Sequence, residues 1–503
     1  MRRKYMRSKA KREQSTPDIG SSIKETTIEK NLNKTVQIFQ SLYSFPKNKD
    51  VTIRHFHIPA LQKDAALLHI STITSAETID TDILKPLMTI NEAAQQIDDL
   101  ITVPSTSKEN KVKTICKKIN EGSAAIFIDG EEEAILINVA KFEGRSVEQP
   151  QNENVVKGPK EAFNELAQTN ISLVRKKIKS ESLVAESFTI SKRSKNELYV
   201  LYISDLVDDK LLANVKKRVQ SLNTDSIQNL GILEQYIEER RYSIFPSTLY
   251  TERPDRAASF LEDGYIVLVM DNDPACLVLP ATFWSFFHSS EDHYLRFMYG
   301  NFIRLLRLIA LFISVFISAI YVAITNFHSE MIPGDLLLAI IATRDKVPFP
   351  GLVEVLLMEL SFELIREAGL RVPTPIGPTI GIVGALILGQ AAVQANIVSP
   401  IVVIAVALSG LSSFAIGDLS MNFAIRLMKF LFIFAAGLVG IFGITALFTV
   451  GFFYLVSIKS FGVPYFSPLA PSYQSSGDTI FRRTLQNELF RPGYVKPKDI
   501  TKR

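Results

Sequence analysis

The chain has 503 residues, and its 56 basic and 52 acidic side chains leave a net charge of +4, too small to indicate a nucleic-acid partner. Its two cysteines, Cys116 and Cys276, are too few for a disulfide framework or a Cys-x-x-Cys metal or redox site. The charges are unevenly spread, because residues 308–458 contain 14 of the 108, and this indicates a soluble region followed by a membrane region.

The first 50 residues are polar and basic. The opening MRRKYMRSKAKR contains seven basic residues among twelve, and no apolar run follows it, as a secretory signal would require. We expect residues 1–50 to form a basic, mostly flexible leader. It is either a solvated segment or a contact for anionic lipid headgroups.

Residues 51–295 alternate β-like and helical segments in a soluble composition, which predicts an α/β or α+β fold. Two stretches, 122–139 and 262–280, each have two apolar runs around a tight polar turn, which is a hairpin signal. Their similarity predicts two soluble subdomains of related plan, 51–165 and 166–295.

This soluble region does not have the motifs of an enzyme. Its His-x-His at His55 and His57 is isolated, and no phosphate-binding glycine loop, nucleophile motif or pair of catalytic acids can be assigned. We therefore expect no catalytic residue, no cofactor and no metal.

The first membrane crossing is expected at about 305–328. Residues 308–329 carry no charge over 22 positions, enough helix to cross about 30 Å of hydrocarbon. Arg304 and Arg307 precede this run and are candidate membrane anchors, since long basic side chains can reach the interface.

Three more crossings are expected in the membrane region 296–458, at about 376–395, 398–417 and 430–458, the last as one long or tilted helix. The C-terminal tail 459–503 has eight Lys or Arg against three acids. Because basic residues also flank the first crossing, the positive-inside rule predicts that both terminal regions are cytoplasmic, which requires an even number of crossings.

Four glutamates lie in the stretch PFPGLVEVLLMELSFELIREAG, between membrane-like segments. At about 100° per residue, Glu359, Glu363 and Glu367 share one face of an amphipathic helix over 350–367, whereas Glu354 lies on another face. Prolines on both sides isolate this helix, so we place it between crossings rather than across the membrane.

Three interpretations of these glutamates remain open. The helix could be interfacial or partly buried, with carboxylates in water or paired with Arg344, Arg366 or Arg371. Alternatively, the glutamates face a water-filled conduit, since ionisable residues inside membranes often mark ion paths. A metal site is disfavoured, because the nearest histidine in the sequence is His328.

Polar side chains also occur in apolar sequence at Gln390, Gln394 and Asn396. They favour hydrogen bonds between helices, or contacts with a pore or a ligand.

Four motifs together carry a family resemblance. They are VVKGPKEAFNE at 155–165, TERPDR at 251–256, RDKVPFPGLVEVLLMELSFELIREAGLRVPTPIGPTIGIVGALILGQAAVQANIVSP at 344–400 and FGVPYFSP at 461–468. Their wording and order closely resemble the large A-type subunit of bacterial spore germinant receptors, the GerA family. The match runs from about residue 90 to about residue 470.

The resemblance implies more than the residue patterns do. Such proteins lie in the inner membrane of dormant spores, work with a transporter-like B-type subunit and a C-type lipoprotein, and respond to amino acids, nucleosides or sugars. The A-type subunit forms a homo-oligomer, a pentamer, that acts as a cation channel opened by nutrient. In this family the B-type subunit supplies much of the nutrient pocket.

We therefore interpret the chain as a subunit of a nutrient-gated cation channel that triggers ion release and germination. Alternatives are an amplifying channel subunit of the same superfamily without direct nutrient sensing, and a membrane-anchored scaffold without a pore. A secondary transporter, with a midplane site around Gln390 and Asn396, is a further alternative.

Overall fold

The computed structural model describes residues 24–90, 100–103, 106–141, 149–371, 384, 386, 389–473 and 478–502. The predicted fold class is confirmed, because an α/β region with two antiparallel sheets is followed by a region of apolar helices.

The first subdomain contains a five-stranded sheet. Its elements in chain order are α1 Leu32–Leu42, β1 Val51–Ile58, β2 Lys63–Ile70, the helical turns Ala76–Thr78, Ile79–Leu84 and Lys85–Thr89, β3 Thr106–Glu109, α2 Val112–Asn120, β4 Ser123–Ile128 and β5 Ala134–Asn138. The strands pair in the order β1-β2-β4-β5-β3. Successive side chains of a strand point to opposite faces, so Phe127 of β4 packs with α1 and α2 whereas Ile126 joins a second core.

The second subdomain repeats this plan. Its elements are α3 Ala167–Lys177, β6 Leu183–Ile190, β7 Asn196–Ile203, α4 Asp209–Gln220, α5 Leu230–Ile237, β8 Leu249–Thr251, α6 Pro254–Glu262, β9 Ile266–Met270 and β10 Cys276–Leu279. The strands pair in the order β6-β7-β9-β10-β8, which is the order of the first sheet when strands are counted within each subdomain. This shared order agrees with the related plan that the two hairpin signals predicted.

The leader is folded from residue 24 onward, so the prediction of a mostly flexible leader is wrong for residues 24–50. Helix α1 begins after Asn31, whose side chain accepts a hydrogen bond in the first turn. Phe39 is buried, and its ring lies 4.7 Å from that of Phe127 on the sheet. The apolar face of α1 therefore packs this helix against the core of the first subdomain. Residues 1–23 lie outside the described residues.

Six labelled helices form the second half of the chain: α7 Phe297–Phe327, α8 Gly334–Arg344, α9 Gly351–Arg371, α10 Pro400–Ser413, α11 Leu419–Val439 and α12 Ile441–Ser457. Within the described residues, α7 and α11 are long and apolar enough to cross a membrane, judged by length and composition. The helices α10 and α12 are apolar but shorter.

The single crossing predicted at 430–458 is wrong, because two helices occupy that range. Helix α11 begins eleven residues earlier, at Leu419, and ends at Val439; α12 starts at Ile441. Between them Gly440 has φ +67°, a conformation that a residue with a Cβ rarely adopts. The crossing predicted at 376–395 lies largely outside the described residues.

The C-terminal tail returns to the second subdomain. Strand β11 Lys459–Ser460 pairs with β12 Val463–Pro464, and the Ser460 hydroxyl donates to the Ser247 carbonyl at 2.6 Å. Arg240 of the second subdomain donates to the Ser457 carbonyl at the end of α12. The last labelled helix therefore ends beside the second subdomain, where α7 also begins.

Candidate functional site

Helix α9, which carries the four glutamates, packs against α7, α10 and α11. We call these four helices the bundle. A Cβ at Gly410 of α10 would lie 2.4 Å from the Phe362 ring, and a Cβ at Gly437 of α11 would lie 2.6 Å from Leu352. Small residues thus let α9 approach both neighbours closely, as is common where helices pack in membranes.

The centre of the bundle holds a fully buried ion pair. Glu359 is 0% exposed and Lys429 of α11 is 1% exposed. The Lys429 Nζ lies 2.6 Å from Glu359 Oε2, and the Ser318 hydroxyl of α7 donates to Glu359 Oε1 at 2.6 Å. Both carboxylate oxygens are therefore satisfied by protein groups from two different helices.

One turn further along α9, Glu363 extends this pair into a cluster. Glu363 Oε1 lies 3.3 Å from Lys429 Nζ and 3.9 Å from Arg366, and Arg426 donates to Oε2. Arg366 also donates to the Ser413 hydroxyl at 2.8 Å, which ties α9 to the end of α10. We call Glu359, Glu363, Arg366, Arg426 and Lys429 the bundle cluster. Its three bases exceed its two acids by one charge.

The other two predicted glutamates lie apart from the cluster. Glu367 is about half exposed and pairs with Arg371 at 2.7 Å. Glu354 is 0% exposed; its Oε1 accepts the backbone N–H of Ser399, and its Oε2 has no hydrogen-bond partner in the described part of the chain. The four glutamates thus have three different surroundings.

In the structure α9 is partly buried, and Glu363 and Glu367 pair with Arg366 and Arg371, two of the bases that the first interpretation named. The acidic face of α9 points into the bundle, whereas Leu360 and Leu364 of its apolar face are more than half exposed. A helix with charged side chains toward the bundle and leucines on its outer face suits a position that has polar neighbours in the bundle and lipid or another subunit at the outer face. Spacing predicted which residues share a face, but it did not predict that this face meets buried bases.

The bundle cluster includes two bases that the residue patterns did not identify as candidates. Arg426 and Lys429 are three residues apart on α11 and therefore share a face. They are the only charged residues from 419 to 458, which is the signal that could have identified them.

Gln390, Gln394 and Asn396 are exposed on this single chain. Their side chains form no interhelical hydrogen bond among the described residues, so that interpretation has no support within one chain. Contact with a pore or a ligand remains a prediction.

Arg304 and Arg307, the candidate membrane anchors, form ion pairs within the protein. Asp292 is 0% exposed and accepts from Arg304 Nε at 3.0 Å and from Arg307 at 2.8 Å. Arg304 is 4% exposed and also pairs with Asp478 of the tail. We call these four residues the joint cluster, because they connect the second subdomain, the start of α7 and the tail.

Two groups in this region have strongly shifted pKa values. Burial, together with the charge of Arg304, lowers the pKa of His288 to about 4, and its Nε2 lies 2.5 Å from the Thr479 carbonyl oxygen. Burial disfavours the Asp478 carboxylate, but His288, His293 and Arg304 outweigh it and hold its pKa well below the usual range. A neutral His288 and a charged Asp478 are therefore part of the folded joint.

No group of three or more His, Cys, Asp or Glu side chains in the described part of the chain is arranged to hold a metal ion. The chemistry available in the bundle is that of desolvated ion pairs. Such pairs resist separation, because each charge left alone would remain buried and unpaired.

Comparisons with known proteins agree on one family. Residues 38–494 match a family model described as Bacillus/Clostridium GerA spore germination protein. The chain is similar to Spore germination protein KA of Bacillus subtilis (strain 168), with 39% identity over 460 residues that cover 90% of this chain and 85% of that protein. It is also similar to Uncharacterized membrane protein YfkQ of the same strain, with 36% identity over 83% of this chain and 82% of that protein.

One solved structure is also similar, the crystal structure of the N-terminal domain of the A subunit of the Bacillus megaterium spore germinant receptor GerK3. It has 25% sequence identity and a TM-score of 0.39, and the match covers 51% of this chain and 98% of that chain.

Proposed function

This chain belongs to the GerA family of spore germination proteins, as its motifs predicted, and we propose that it is the A-type subunit of a nutrient germinant receptor. In this proposal it is a multi-pass protein of the spore inner membrane and works with a B-type transporter-like subunit and a C-type lipoprotein. Copies of the chain assemble into a homo-oligomer, a pentamer, that conducts cations when nutrient is present. Ion release through this channel then triggers germination.

The position of the helix ends supports a multi-pass arrangement. Helix α7 begins, and α12 ends, beside the second subdomain. An even number of membrane crossings between these two helix ends keeps both terminal regions on the same side of the membrane. The positive-inside rule predicts that this is the cytoplasmic side, which faces the spore core.

The observation that carries the gating proposal is the buried Glu359–Lys429 pair. A desolvated pair between two helices has one low-energy arrangement, and separating the helices requires both charges to find new partners or water. We propose that the bundle cluster holds α9 against α11 in the closed state. Nutrient opens the channel only if the whole receptor binds it more tightly when open.

The charge of the cluster bears on where cations pass. Three bases around two acids repel a cation, so the cluster lies beside the ion path of the closed channel rather than lining it. Glu359 and Glu363 are therefore proposed as gating residues. Five other residues remain candidates for lining the conduit, since each has a side-chain oxygen that does not contact the bundle cluster. They are Glu354, Glu367, Gln390, Gln394 and Asn396.

Single-channel recording tests the proposal. The purified chain is reconstituted in planar bilayers with its B-type and C-type partners, and L-alanine, inosine and glucose are added in turn. We expect discrete cation-selective openings with one of them. Glu359→Gln combined with Lys429→Met removes the buried pair without leaving a lone charge, and we expect at least a tenfold higher open probability without nutrient.

The matched control replaces the exposed pair on the same helix, Glu367→Gln with Arg371→Met, and is expected to leave the open probability unchanged, because a residue that lines the conduit sets the conductance and not the contact between α9 and α11. Ion flux without discrete openings would indicate a secondary transporter instead. Openings that never respond to nutrient would indicate the amplifying branch. If the assembled complex shows no conductance, the remaining alternative is a membrane-anchored scaffold without a pore.

A further inference from the structure

A cavity of about 310 Å³ lies where the second subdomain meets the tail. Helix α6 forms one wall, the turn from Thr282 to His293 forms another, and tail residues 485–502 form the third. The cavity is separate from the bundle cluster, and none of the residues of that cluster lines it.

The charges around this cavity are paired, with one exception. Asp263 is 2.9 Å from Lys502, and Asp478 is paired with Arg304. Glu488 has a side chain that is 10% exposed, its closest base is His293 at 3.9 Å, and its Oε1 has no hydrogen-bond partner in the described part of the chain. One carboxylate oxygen in a walled cavity is therefore left without a donor.

The remaining walls are largely aromatic. Phe260, Tyr265, Trp284 and Tyr494 all line the cavity. The hydroxyls of Tyr265 and Tyr494 are 2.7 Å apart and satisfy each other, so the tyrosines contribute mainly ring surface. A carboxylate beside aromatic rings attracts an ammonium group by charge and by cation–π interaction.

We propose that this cavity binds a small organic ammonium ion, with its N–H groups donating to Glu488 and its alkyl part against the aromatic rings. Burial raises the pKa of Glu488, as expected for a carboxylate without a donor, and an ammonium partner would offset that cost. The ligand would contact both α6 and the tail, and it would therefore fix the tail on the second subdomain beside the start of α7.

The single tryptophan of the chain, Trp284, lines the cavity and reports binding directly. The full chain in lipid nanodiscs is titrated at pH 7.5 with n-propylammonium chloride at constant ionic strength, and tryptophan fluorescence is recorded. We expect a saturable change with a Kd on the order of 1 mM, appropriate for so small a ligand. The neutral 1-propanol and the anionic propionate should produce no saturable change.

Two variants locate the site. Glu488→Gln keeps the shape of the side chain, removes its charge and should weaken propylammonium binding at least tenfold. The control Glu262→Gln removes an exposed acid next to Asp263 that does not line the cavity, and it should change the Kd less than twofold.

A second measurement does not depend on how the variants fold. Propylammonium, but not propanol, should raise the thermal unfolding temperature of the wild-type chain. The proposal is overturned if fluorescence does not saturate below about 100 mM propylammonium, or if Glu488→Gln responds like wild type. It is also overturned if only a pH change, and no amine, alters the fluorescence of the wild-type chain.

Discussion

The bundle cluster and the joint cluster are both buried groups of charges, yet they connect different parts of the molecule. The bundle cluster joins α9 to α11 through side chains that all belong to helices of the bundle. The joint cluster connects a soluble turn at Asp292, the first turns of α7 at Arg304, and the tail at Asp478. The first cluster therefore holds helix against helix, whereas the second holds the soluble half against the helical half.

Their composition also differs. The bundle cluster consists of Glu, Lys and Arg, and no histidine belongs to it. The joint cluster lies against His288 and His293, whose side-chain type titrates nearest to neutral pH. Because of this difference in composition, we expect the bundle cluster to respond mainly to forces that move the helices. We expect the joint cluster to respond to acid as well.

Loss of one partner in the bundle cluster should have the largest effect. Lys429→Met removes the base and leaves Glu359 buried beside a methionine, with the Ser318 hydroxyl as its remaining donor. We expect a loss of about 3–5 kcal/mol in the free energy of unfolding, which is typical of a buried pair broken on one side. Thermal unfolding of the purified chain in detergent measures it.

The double variant, Lys429→Met with Glu359→Gln, should recover most of that stability, because no buried charge is left alone. If the single variant is as stable as wild type, then water reaches Glu359 in solution. The bundle cluster would then be less buried than the structure indicates, and the contrast with the joint cluster would fail.

Acid should loosen the joint before it affects the bundle. The folded pKa of His288, about 4, lies below its usual value of 6.5, so folding favours the neutral ring. Its contribution is complete above pH 6.5 and is lost as the pH falls toward 4, by about 2 kcal/mol between pH 7.5 and pH 5. The charged groups that face it are Arg304, Asp478 and Asp292.

The variant His288→Gln retains an N–H donor for Thr479 and cannot titrate. We expect its stability to fall about 2 kcal/mol less than that of wild type between pH 7.5 and pH 5, measured by denaturant unfolding. Glu488, with a raised pKa, changes stability in the opposite sense in both proteins, and its effect cancels in the difference. His55→Gln, at an exposed site on β1, is the control and should behave like wild type.

The difference between the clusters also explains what the sequence could predict. Hairpin signals and charge-free runs depend on local order, and they predicted the α/β half, the repeated plan and the long apolar helix α7. Lys429 lies 70 residues from Glu359 along the chain, and Asp478 lies 174 residues from Arg304. Local periodicity could place both residues at chemically important positions, but it could not choose between water, lipid and a distant base as their neighbour.

The smallest effect should come from the exposed end of the same helix. Glu367 and Arg371 are four residues apart and 2.7 Å from each other, with side chains 49% and 79% exposed. Glu367→Gln should cost only a few tenths of a kcal/mol by thermal unfolding, because water screens the pair and replaces the lost contact. Glu359 and Glu367 are the same residue type on one helix, so their contrast isolates burial from charge. A loss above about 1 kcal/mol in the assembled oligomer, but not in the monomer, would instead identify Glu367 as a contact between subunits.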